Sequence, residues 1–409
     1  MASSEELRPS AYARSRVVGS GLDPRAPEAR KLNAEKNVVM LLSNPATTDQ
    51  RPLREAHALA QAGFPVTILA WDREGETRRD TRFPDGLVVK RMRIEAGHGT
   101  PFLTVPRLLI FYVWCLAHLL GRSSKVIHCH DVDTLPVGIL AVTLMRRRPK
   151  LVYDMHDLPE VFLRFFPLVS LTQRITLAFC RKMTSMVVIV ADSSIDWLSS
   201  RGFDKSKFTV VTNTPGISEA RFRVRTSNQL RIFYYGWLGE ERGVGVLVKA
   251  AQSIPNVSLK VAGRGDLEKL IRTAEGKFQN IKYLGWLDTR EIDAEALQSD
   301  LIPTLYEPRN RNAQLAIPGK LMTAMSLTTP ALVPLNSYQA KVVEEFRCGL
   351  VVDSRNTDEV LNAIRRLAND IVLYNELGKA GYDAFRSYFN WEVMESRLVN
   401  SYSALIHGA

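Results

Sequence analysis

The feature that most constrains the fold is a regular alternation of short apolar runs with amphipathic segments, which starts at Asn37. Short apolar runs are typical of buried strands, and the segments between them of helices, so the alternation predicts a parallel, doubly wound sheet. In the first half of the chain the expected strands are 37–42, 65–70, 87–94, 126–129, 151–154, 186–191 and 208–211.

The alternation is interrupted once, by a polar stretch at 214–229 that has the composition of a linker. It resumes with expected strands at 231–235, 257–261, 281–284 and 330–333. Because 409 residues are too many for one ordinary core, we expect two Rossmann-like domains, 37–213 and 230–386, with a cleft between them. A helix at 387–409 is expected to cross back to the first domain. Residues 1–36 are polar and lack the apolar core of a secretory signal, so a disordered tail is expected there.

The charge of the chain is uneven. Residues 37–212 hold 23 Lys and Arg against 16 Asp and Glu, whereas residues 213–409 hold 24 against 22. A basic first half could face nucleic acid, an anionic membrane or phosphorylated ligands. No zinc-finger, KH or RRM signature is present, so nucleic acid is not the expected partner. The four cysteines show no CxxC spacing, which argues against a disulfide framework or a zinc site and fits the cytoplasm.

An apolar run at 108–120 could be taken for a membrane segment. At 13 residues it is shorter than the roughly 20 residues that span a bilayer. A buried crossover helix is one interpretation. Shallow insertion into a membrane surface is the other, together with the aromatic run 161–169 and the basic clusters 146–148 and 181–182.

Three positions have the pattern of phosphate ligands. Gly236 and Gly239 follow an expected strand and precede Arg242, and Arg264 stands between two glycines after the next strand. Lys320 lies in the first turn of an expected helix that follows a strand end, where ligands bind in open parallel sheets. A tight turn without a ligand is the alternative explanation of the glycines. The spacing is not GxGxxG, which disfavours a nicotinamide enzyme.

Two further sequences follow expected strands in the first half. His156 comes directly after the run LVYD, a position that favours a functional site over a core histidine. Asp131 and Asp133 superficially match a metal-binding DxD. Because no other acidic cluster is nearby, we interpret them as the N-cap region of a helix and expect no metal.

Together these segments resemble glycosyltransferase family 4, whose members have the GT-B fold, over nearly the whole length from Asn37 to Leu405. The segments that carry the resemblance are SNPATTDQRPLREAHALAQAGFPVTILA, HCHDVDTLPVG, VYDMHDLPE, VVTNTPG, YYGWLGEERGV, VAGRGDLEKL, YLGWLD, PGKLMTAM and FNWEVMESRLVNSY.

The resemblance implies an α/β protein of the GT-B class, an enzyme that moves a sugar from a nucleotide-sugar donor to an acceptor. It implies retention of anomeric configuration and no metal or other cofactor. His156 would lie at the reaction centre. The donor-binding residues implied for the second domain are Gly236, Gly239, Arg242, Arg264, Glu307, Lys320 and Thr323. The residues implied on the acceptor side of the first domain are Asp49, Arg51, His130 and Asp131.

Several positions depart from the family pattern. Trp237 stands where a cation is usual, Gly319 replaces an asparagine, and Thr323 replaces the glutamate that grips the ribose. Two hypotheses therefore stay open: an active transferase with an altered donor grip, or a catalytically silent relative that serves an active transferase as partner or regulator. For the active case we expect a lipid-linked acceptor at an anionic membrane surface, on its cytoplasmic face.

Overall fold

The computed structural model describes residues 36–47, 50–75, 77–95, 101–121, 123–156, 167–307 and 311–408. The expected tail up to residue 35, Asp49 and residues 161–166 of the aromatic run lie outside the described residues.

The first half of the chain forms one eight-stranded sheet. Its strands are β1 (Val38–Leu42), β2 (Val66–Asp72), β3 (Asp80–Arg82), β4 (Val88–Arg93), β5 (Val126–His130), β6 (Lys150–Met155), β7 (Thr184–Ile189) and β8 (Phe208–Val210). They lie in the order β3-β4-β2-β1-β5-β6-β7-β8 and pair in parallel, except that β3 is antiparallel to β4. The short β3, of sequence DTR, was missed by the sequence analysis because it has no apolar pattern.

Helices cover both faces of this sheet. They are α1 (Gln50–Gln61), α2 (Pro101–Leu120), α3 (Asp131–Leu144), α4 (Pro167–Met183) and α5 (Ser193–Ser199). The apolar run 108–120 belongs to α2, where Phe111, Cys115 and Leu119 are buried against the sheet while Leu109 and Val113 point outward. None of the described helices has the length and apolarity needed to cross a bilayer.

The second half repeats the alternation in a smaller form. Strands β9 (Leu230–Tyr235), β10 (Val257–Ala262) and β11 (Ile281–Gly285) pair in parallel, as do β12 (Ala331–Pro334) and β13 (Gly349–Val352). Residues Leu301 and Thr304 join the two groups, because Leu301 bridges to β9 and the Thr304 amide donates to Leu332. The helices of this half are α6 (Val244–Ser253), α7 (Glu268–Glu275), α8 (Thr289–Gln298), α9 (Arg311–Leu315), α10 (Gly319–Ser326), α11 (Tyr338–Phe346), α12 (Thr357–Asn369) and α13 (Ile371–Ala384).

The last helix, α14 (Trp391–His407), returns to the first half of the molecule. Its side chains Met394, Leu398 and Tyr402 are fully buried in the core formed by β1, β2 and α1. The molecule thus has two α/β units, and the chain crosses between them twice. The two crossings are tied together where the Trp391 amide donates to the Pro215 carbonyl at 2.9 Å.

Candidate active site

The carboxyl ends of both sheets open onto one cavity of about 730 Å³. Arg51, Arg54 and His156 line it from the first half. Arg242, Tyr306, Glu307, Lys320 and Thr323 line it from the second half. The structure therefore brings His156 and most of the residues expected to bind the donor to the walls of the same cavity.

His156 lies immediately after β6 and is held by two carboxylates. Its Nε2 is 2.8 Å from Asp154 Oδ2, and its Nδ1 is 3.7 Å from Asp131 Oδ2. The His156 amide also donates to Asp131 Oδ1 at 3.3 Å. Asp131 is the first residue of α3 and has a φ of 61°, while His130 occupies the N-cap position. The expectation that Asp131 caps this helix is thus corrected, because its carboxylate turns toward His156 instead.

The charges around His156 determine its protonation. Burial alone would lower the pKa of His156, but the carboxylates of Asp154 and Asp131 outweigh burial and raise its pKa to about 10. Burial would raise the pKa of Asp154, but Arg51 and His156 hold it well below its usual value. At neutral pH His156 is therefore a cation that can donate hydrogen bonds but cannot accept a proton.

Arg51 and His130 lie behind His156, and of these two residues only Arg51 reaches the lining of the cavity. Arg51 is 3% exposed, and its guanidinium donates to Asp154 Oδ1 at 2.8 Å and to the Val211 carbonyl at 2.6 Å. His130 is buried with its Nδ1 3.0 Å from Asp154 Oδ2. Both were expected on the acceptor side, which stays a prediction; the structure shows that they support Asp154, which in turn holds His156.

Four buried side chains in this cluster could be mistaken for a metal site. One ligand atom from each of Glu55, His128, His130 and Asp154 lies within 4.8 Å of the others. Arg51, however, contacts both carboxylates, with its Nε 3.0 Å from Glu55 Oε1. With Arg51 and His156 charged, the two carboxylates are already neutralised. A divalent cation would add uncompensated charge to a buried site, so the residues do not fit a metal.

In the second half, Lys320 is surrounded by aromatic rings. Its Nζ lies 4.6 Å from the ring centroid of Tyr234, 5.0 Å from that of Tyr235 and 5.4 Å from that of Tyr306, and it donates to Tyr306 Oη at 3.3 Å. Burial lowers the pKa of Lys320. Among the described residues no carboxylate lies within salt-bridge distance of this ammonium, whose neighbours are the three tyrosines.

The glycines of the expected phosphate loop make room for this lysine. Gly236 has a φ of +117°, and a Cβ on it would lie 3.1 Å from Lys320 Nζ. Gly263, at the end of β10, packs so closely on Gly236 that its Cβ would lie 1.8 Å from the Gly236 carbonyl oxygen. The backbone around Lys320 therefore requires glycine at both positions.

Arg242 and Glu307 flank the lysine. Arg242 ends a short 3₁₀ turn that starts after Gly239, and its guanidinium lies 4.4 Å from the ring centroid of Tyr306. A backbone hydrogen bond fixes the position of Glu307: its amide donates to the Glu241 carbonyl at 2.7 Å. Tyr306 thus holds two cations, Arg242 and Lys320, at one end of the cavity.

Thr323 and Arg264, two residues expected to bind the nucleotide-sugar, are placed differently from Lys320. Thr323 lines the cavity, but its hydroxyl donates to the Gly319 carbonyl of its own helix at 3.1 Å. Arg264 does not line the cavity; its guanidinium lies over the exposed ring of Trp286, 5.4 Å from the ring centroid. Because Arg264 follows the neighbouring strand β10, it is displaced sideways from Lys320.

The sequence analysis missed the residues that hold these groups. Asp154 was assigned to a strand, although a carboxylate at a strand end two residues before a histidine was a usable signal. The aromatic lining from Tyr234, Tyr235 and Tyr306 could not have been derived, because it joins two strand ends that are distant in sequence.

Comparison with known proteins agrees with the fold. A "Phosphatidyl-myo-inositol mannosyltransferase" of Mycobacterium leprae is 26% identical over 179 residues, which is 42% of this chain and 46% of that protein. A "GDP-mannose-dependent alpha-(1-6)-phosphatidylinositol monomannoside mannosyltransferase" of Mycobacterium tuberculosis is 24% identical over 193 residues, 45% of this chain and 50% of that protein. The chain thus matches only about half the length of these relatives.

Among solved structures, the sucrose-phosphate synthase of Thermosynechococcus elongatus superposes with a TM-score of 0.72. The superposition covers 91% of this chain and 100% of that structure at 16% identity, which shows the shared GT-B fold.

Two family descriptions match consecutive parts of the chain. "Glycosyltransferase Family 4" matches residues 53–214, and "Glycosyl transferases group 1" matches residues 217–384. These matches cover both α/β units and meet where the chain first crosses between them. The chain therefore belongs to the group 1 glycosyltransferases of glycosyltransferase family 4.

Proposed function

We propose that this protein transfers a sugar from a nucleotide-sugar donor to an acceptor. The observation that carries the proposal is the single cavity in which Lys320 and Arg242 stand on one wall and His156 on the other. Its volume of about 730 Å³ is within the range of ligand pockets. In this proposal residues 230–386 bind the donor and residues 37–213 bind the acceptor.

Each residue has a role that follows from its surroundings. Lys320 and Arg242 bind the diphosphate and neutralise the charge that develops as it leaves, which is the main electrostatic task of such a transfer. Protonated His156 donates a hydrogen bond to a hydroxyl of the donor sugar near the reacting carbon. Because these cations can carry the leaving-group charge, no metal is needed in the proposed reaction. Retention of anomeric configuration is proposed on the family resemblance.

The test is to incubate the protein with UDP-, GDP- and ADP-sugars and to follow release of the nucleoside diphosphate. We expect release with one donor that is undiminished by a chelator and is abolished in His156→Ala. Proton NMR of the product should show the donor's anomeric configuration. No release with any donor and any acceptor extract would contradict the proposal.

A specific observation keeps the silent-relative hypothesis as the second candidate. Thr323 binds its own helix, and Trp237, 53% exposed, stands where the family usually has a cation. If the cavity has lost donor binding, no nucleotide-sugar will raise the melting temperature, whereas a binding protein is stabilised by an amount that grows with the logarithm of the ligand excess.

We further propose that the acceptor is lipid-linked and that the protein binds an anionic membrane. The support is the outer surface of α2, α3 and α4, which pack side by side. This three-helix face exposes large apolar side chains: Leu109, Ile110, Val113, Leu140, Leu144, Ile175 and Phe179. Exposed cations accompany them: Arg146, Arg147, Arg148, Lys150, Arg174, Arg181 and Lys182.

The acidic residues of these three helices are confined to one end. They are Asp131 and Asp133, in the first turn of α3 beside the cavity. The rest of the face combines apolar and basic groups, as surfaces that bind anionic lipid do. The two mycobacterial relatives carry names that refer to phosphatidylinositol substrates, which agrees with a lipid acceptor.

Flotation with vesicles of anionic and of neutral lipid tests this proposal. We expect binding to anionic vesicles that weakens with salt, since charge attraction is screened over about 10 Å at 0.1 M. Val113→Glu should reduce binding. Val372→Glu, at a residue that is likewise 69% exposed but lies in the second half, should not. No recruitment at low salt, or an equal loss in both variants, would favour a soluble acceptor.

A further inference from the structure

One residue of the C-terminal helix reaches the buried cluster behind the candidate reaction centre. Tyr402 of α14 is fully buried, and its Oη lies 2.5 Å from Nδ1 of His128 in β5. The two residues are 274 positions apart in the chain. The hydrogen bond therefore links the segment that returns from the donor-binding half to the histidines of the first half.

The direction of this hydrogen bond follows from the chemistry of the two groups. Burial raises the pKa of Tyr402 well above its usual value, so the phenol keeps its proton and donates it. Burial also lowers the pKa of His128, so the imidazole is neutral and accepts at Nδ1. A neutral imidazole carries one proton, and with Nδ1 accepting, that proton is on Nε2.

With Nδ1 of His128 accepting from Tyr402, the proton on Nε2 of His128 points at the carboxylate that holds His156. His128 Nε2 is 3.7 Å from Asp154 Oδ2 and 3.9 Å from Glu55 Oε2. Oδ2 of Asp154 is the same oxygen that lies 2.8 Å from His156 Nε2. The opposite tautomer of His128 would turn a lone pair toward both carboxylates and weaken the site that holds Asp154 in place.

The neighbouring histidine completes the connection. The His128 ring stacks on the ring of His130 with centroids 4.3 Å apart, and His130 Nδ1 lies 3.3 Å from His156 Nε2. Within the part of the chain that the structure describes, the titratable groups around His156 and the histidines behind it are Arg51 and Glu55 from α1, His128 and His130 from β5, Asp131 and Asp133 from α3, Asp154 from β6 and Tyr402 from α14.

We propose that Tyr402 is a positioning residue for the transfer reaction: it fixes the tautomer of His128 and thereby the hydrogen bond between Asp154 and His156. The proposal rests on the proposed role of His156 at the reaction centre. In this proposal helix α14 joins the two units and also helps to position the side chains of the candidate active site. Tyr402 itself touches no substrate.

The test compares two substitutions on the same helix. Tyr402→Phe removes the hydroxyl and keeps the ring in the core. Ser401→Ala removes a different contact between α14 and the first sheet, the hydrogen bond from the Thr209 hydroxyl to the Ser401 hydroxyl at 3.0 Å. This contact does not involve the histidines. Both variants lose one hydrogen bond, so a purely structural role would affect them alike.

Nitrogen-15 NMR of the histidines is the first readout, with assignment by His128→Gln and His156→Gln. In the wild type we expect His128 in the form protonated at Nε2. In Tyr402→Phe this signature should be lost, and the titration midpoint of His156 should move by about half a pH unit or more. Ser401→Ala should change neither. An unchanged His128 tautomer in Tyr402→Phe would overturn the proposal even if no donor has been identified.

Kinetics provide the second readout once a donor is known. We expect kcat of Tyr402→Phe to fall about five- to tenfold, the range that one lost hydrogen bond supports, with KM for the nucleotide-sugar unchanged. Equal kcat values for Tyr402→Phe and Ser401→Ala would overturn the proposal. Absence of transfer in the wild type would instead contradict the proposed function, while the NMR result on the tautomer stands.

Discussion

The two walls of the cavity hold their charges in opposite ways. On the first wall, Asp154, Arg51 and His156 are joined at 2.8 Å, and each charge has a charged neighbour. On the second wall, Lys320 is held by the faces of Tyr234, Tyr235 and Tyr306. Arg242 shares the ring of Tyr306 and also pairs with Glu241 at 3.2 Å. The charges of the first wall are thus paired with one another, whereas on the second wall Lys320 has no carboxylate of the described residues within salt-bridge distance, and its charge is the one we propose for a phosphate ligand.

This difference separates stability from binding. A buried charge whose partner is removed is strongly destabilising, so changes on the first wall should lower the free energy of unfolding. A cation packed against aromatic rings is partly desolvated and gains from an anion, so changes on the second wall should lower affinity for a phosphate ligand. The following substitutions test the division, from the largest expected effect to the smallest.

Asp154→Asn should have the largest effect, on stability. It leaves Arg51 buried without one of its carboxylates and removes the charge that holds His156. We expect the free energy of unfolding in urea to fall by about 3–5 kcal/mol. Asp196→Asn, which breaks an exposed pair with Lys205, is the control and should change it little. A small effect at Asp154 would show that the first wall is not a charge network.

Lys320→Ala should weaken binding of a nucleoside diphosphate by about 1.5–3 kcal/mol in calorimetry, the range for hydrogen bonds to charged groups. Its free energy of unfolding should stay close to that of the wild type. Lys260→Ala serves as the control, because Lys260 pairs with Glu295 away from the cavity. If both lysine variants bind the nucleotide equally well, the phosphate does not contact Lys320.

The pH dependence of stability should reveal the charge on His156. Its pKa in the folded protein, about 10, is above the unfolded value of about 6.5, so the protonated form stabilises the fold. This contribution is fully present below pH 6.5 and is lost as the pH rises through 10. Between pH 7 and pH 10 the wild type should therefore lose more stability than His156→Gln. Parallel pH profiles for the two proteins would mean that His156 is neutral.

Thr323→Glu should have the smallest effect, a gain. A carboxylate at this position could accept both hydroxyl protons of a ribose, so we expect nucleotide-sugar binding to tighten by about 0.5–1.5 kcal/mol. Thr289→Glu, on α8, adds the same charge to the same cavity and should not tighten nucleotide-sugar binding. If neither the wild type nor Thr323→Glu binds any nucleotide-sugar, the silent-relative hypothesis becomes the better one.

The two walls also differ in how far the sequence could predict them. Lys320, Arg242 and Gly236 were found because each lies between a strand end and the first turn of the following helix, which is a local pattern. The network behind His156 joins α1, β5, β6 and α14, and no local pattern shows that Arg51 and Tyr402 meet there. The GT-B fold could therefore be predicted from the sequence, and His156 could be selected as a candidate, but the contacts of Arg51 and His130 with Asp154 could not.

Two elements of the second half could not be predicted from their own sequence. Helix α8, of sequence TREIDAEALQ, is largely exposed and was missed, although Asp288 and Glu291 form a capping box at its start. Strand β13 was missed because its four residues are too few to give a recognisable period. The contacts that hold both elements in place come from neighbours that are distant in sequence.

Hydrogen–deuterium exchange with and without a nucleoside diphosphate tests the division between the walls most directly. The nucleotide is the one of UDP, GDP and ADP that calorimetry shows to bind most tightly. We predict that it slows exchange in residues 234–245 and 318–326 of the second wall and leaves residues 126–131 and 150–156 of the first wall unchanged. Slowed exchange centred on the first wall, or no slowing in either, would contradict the account.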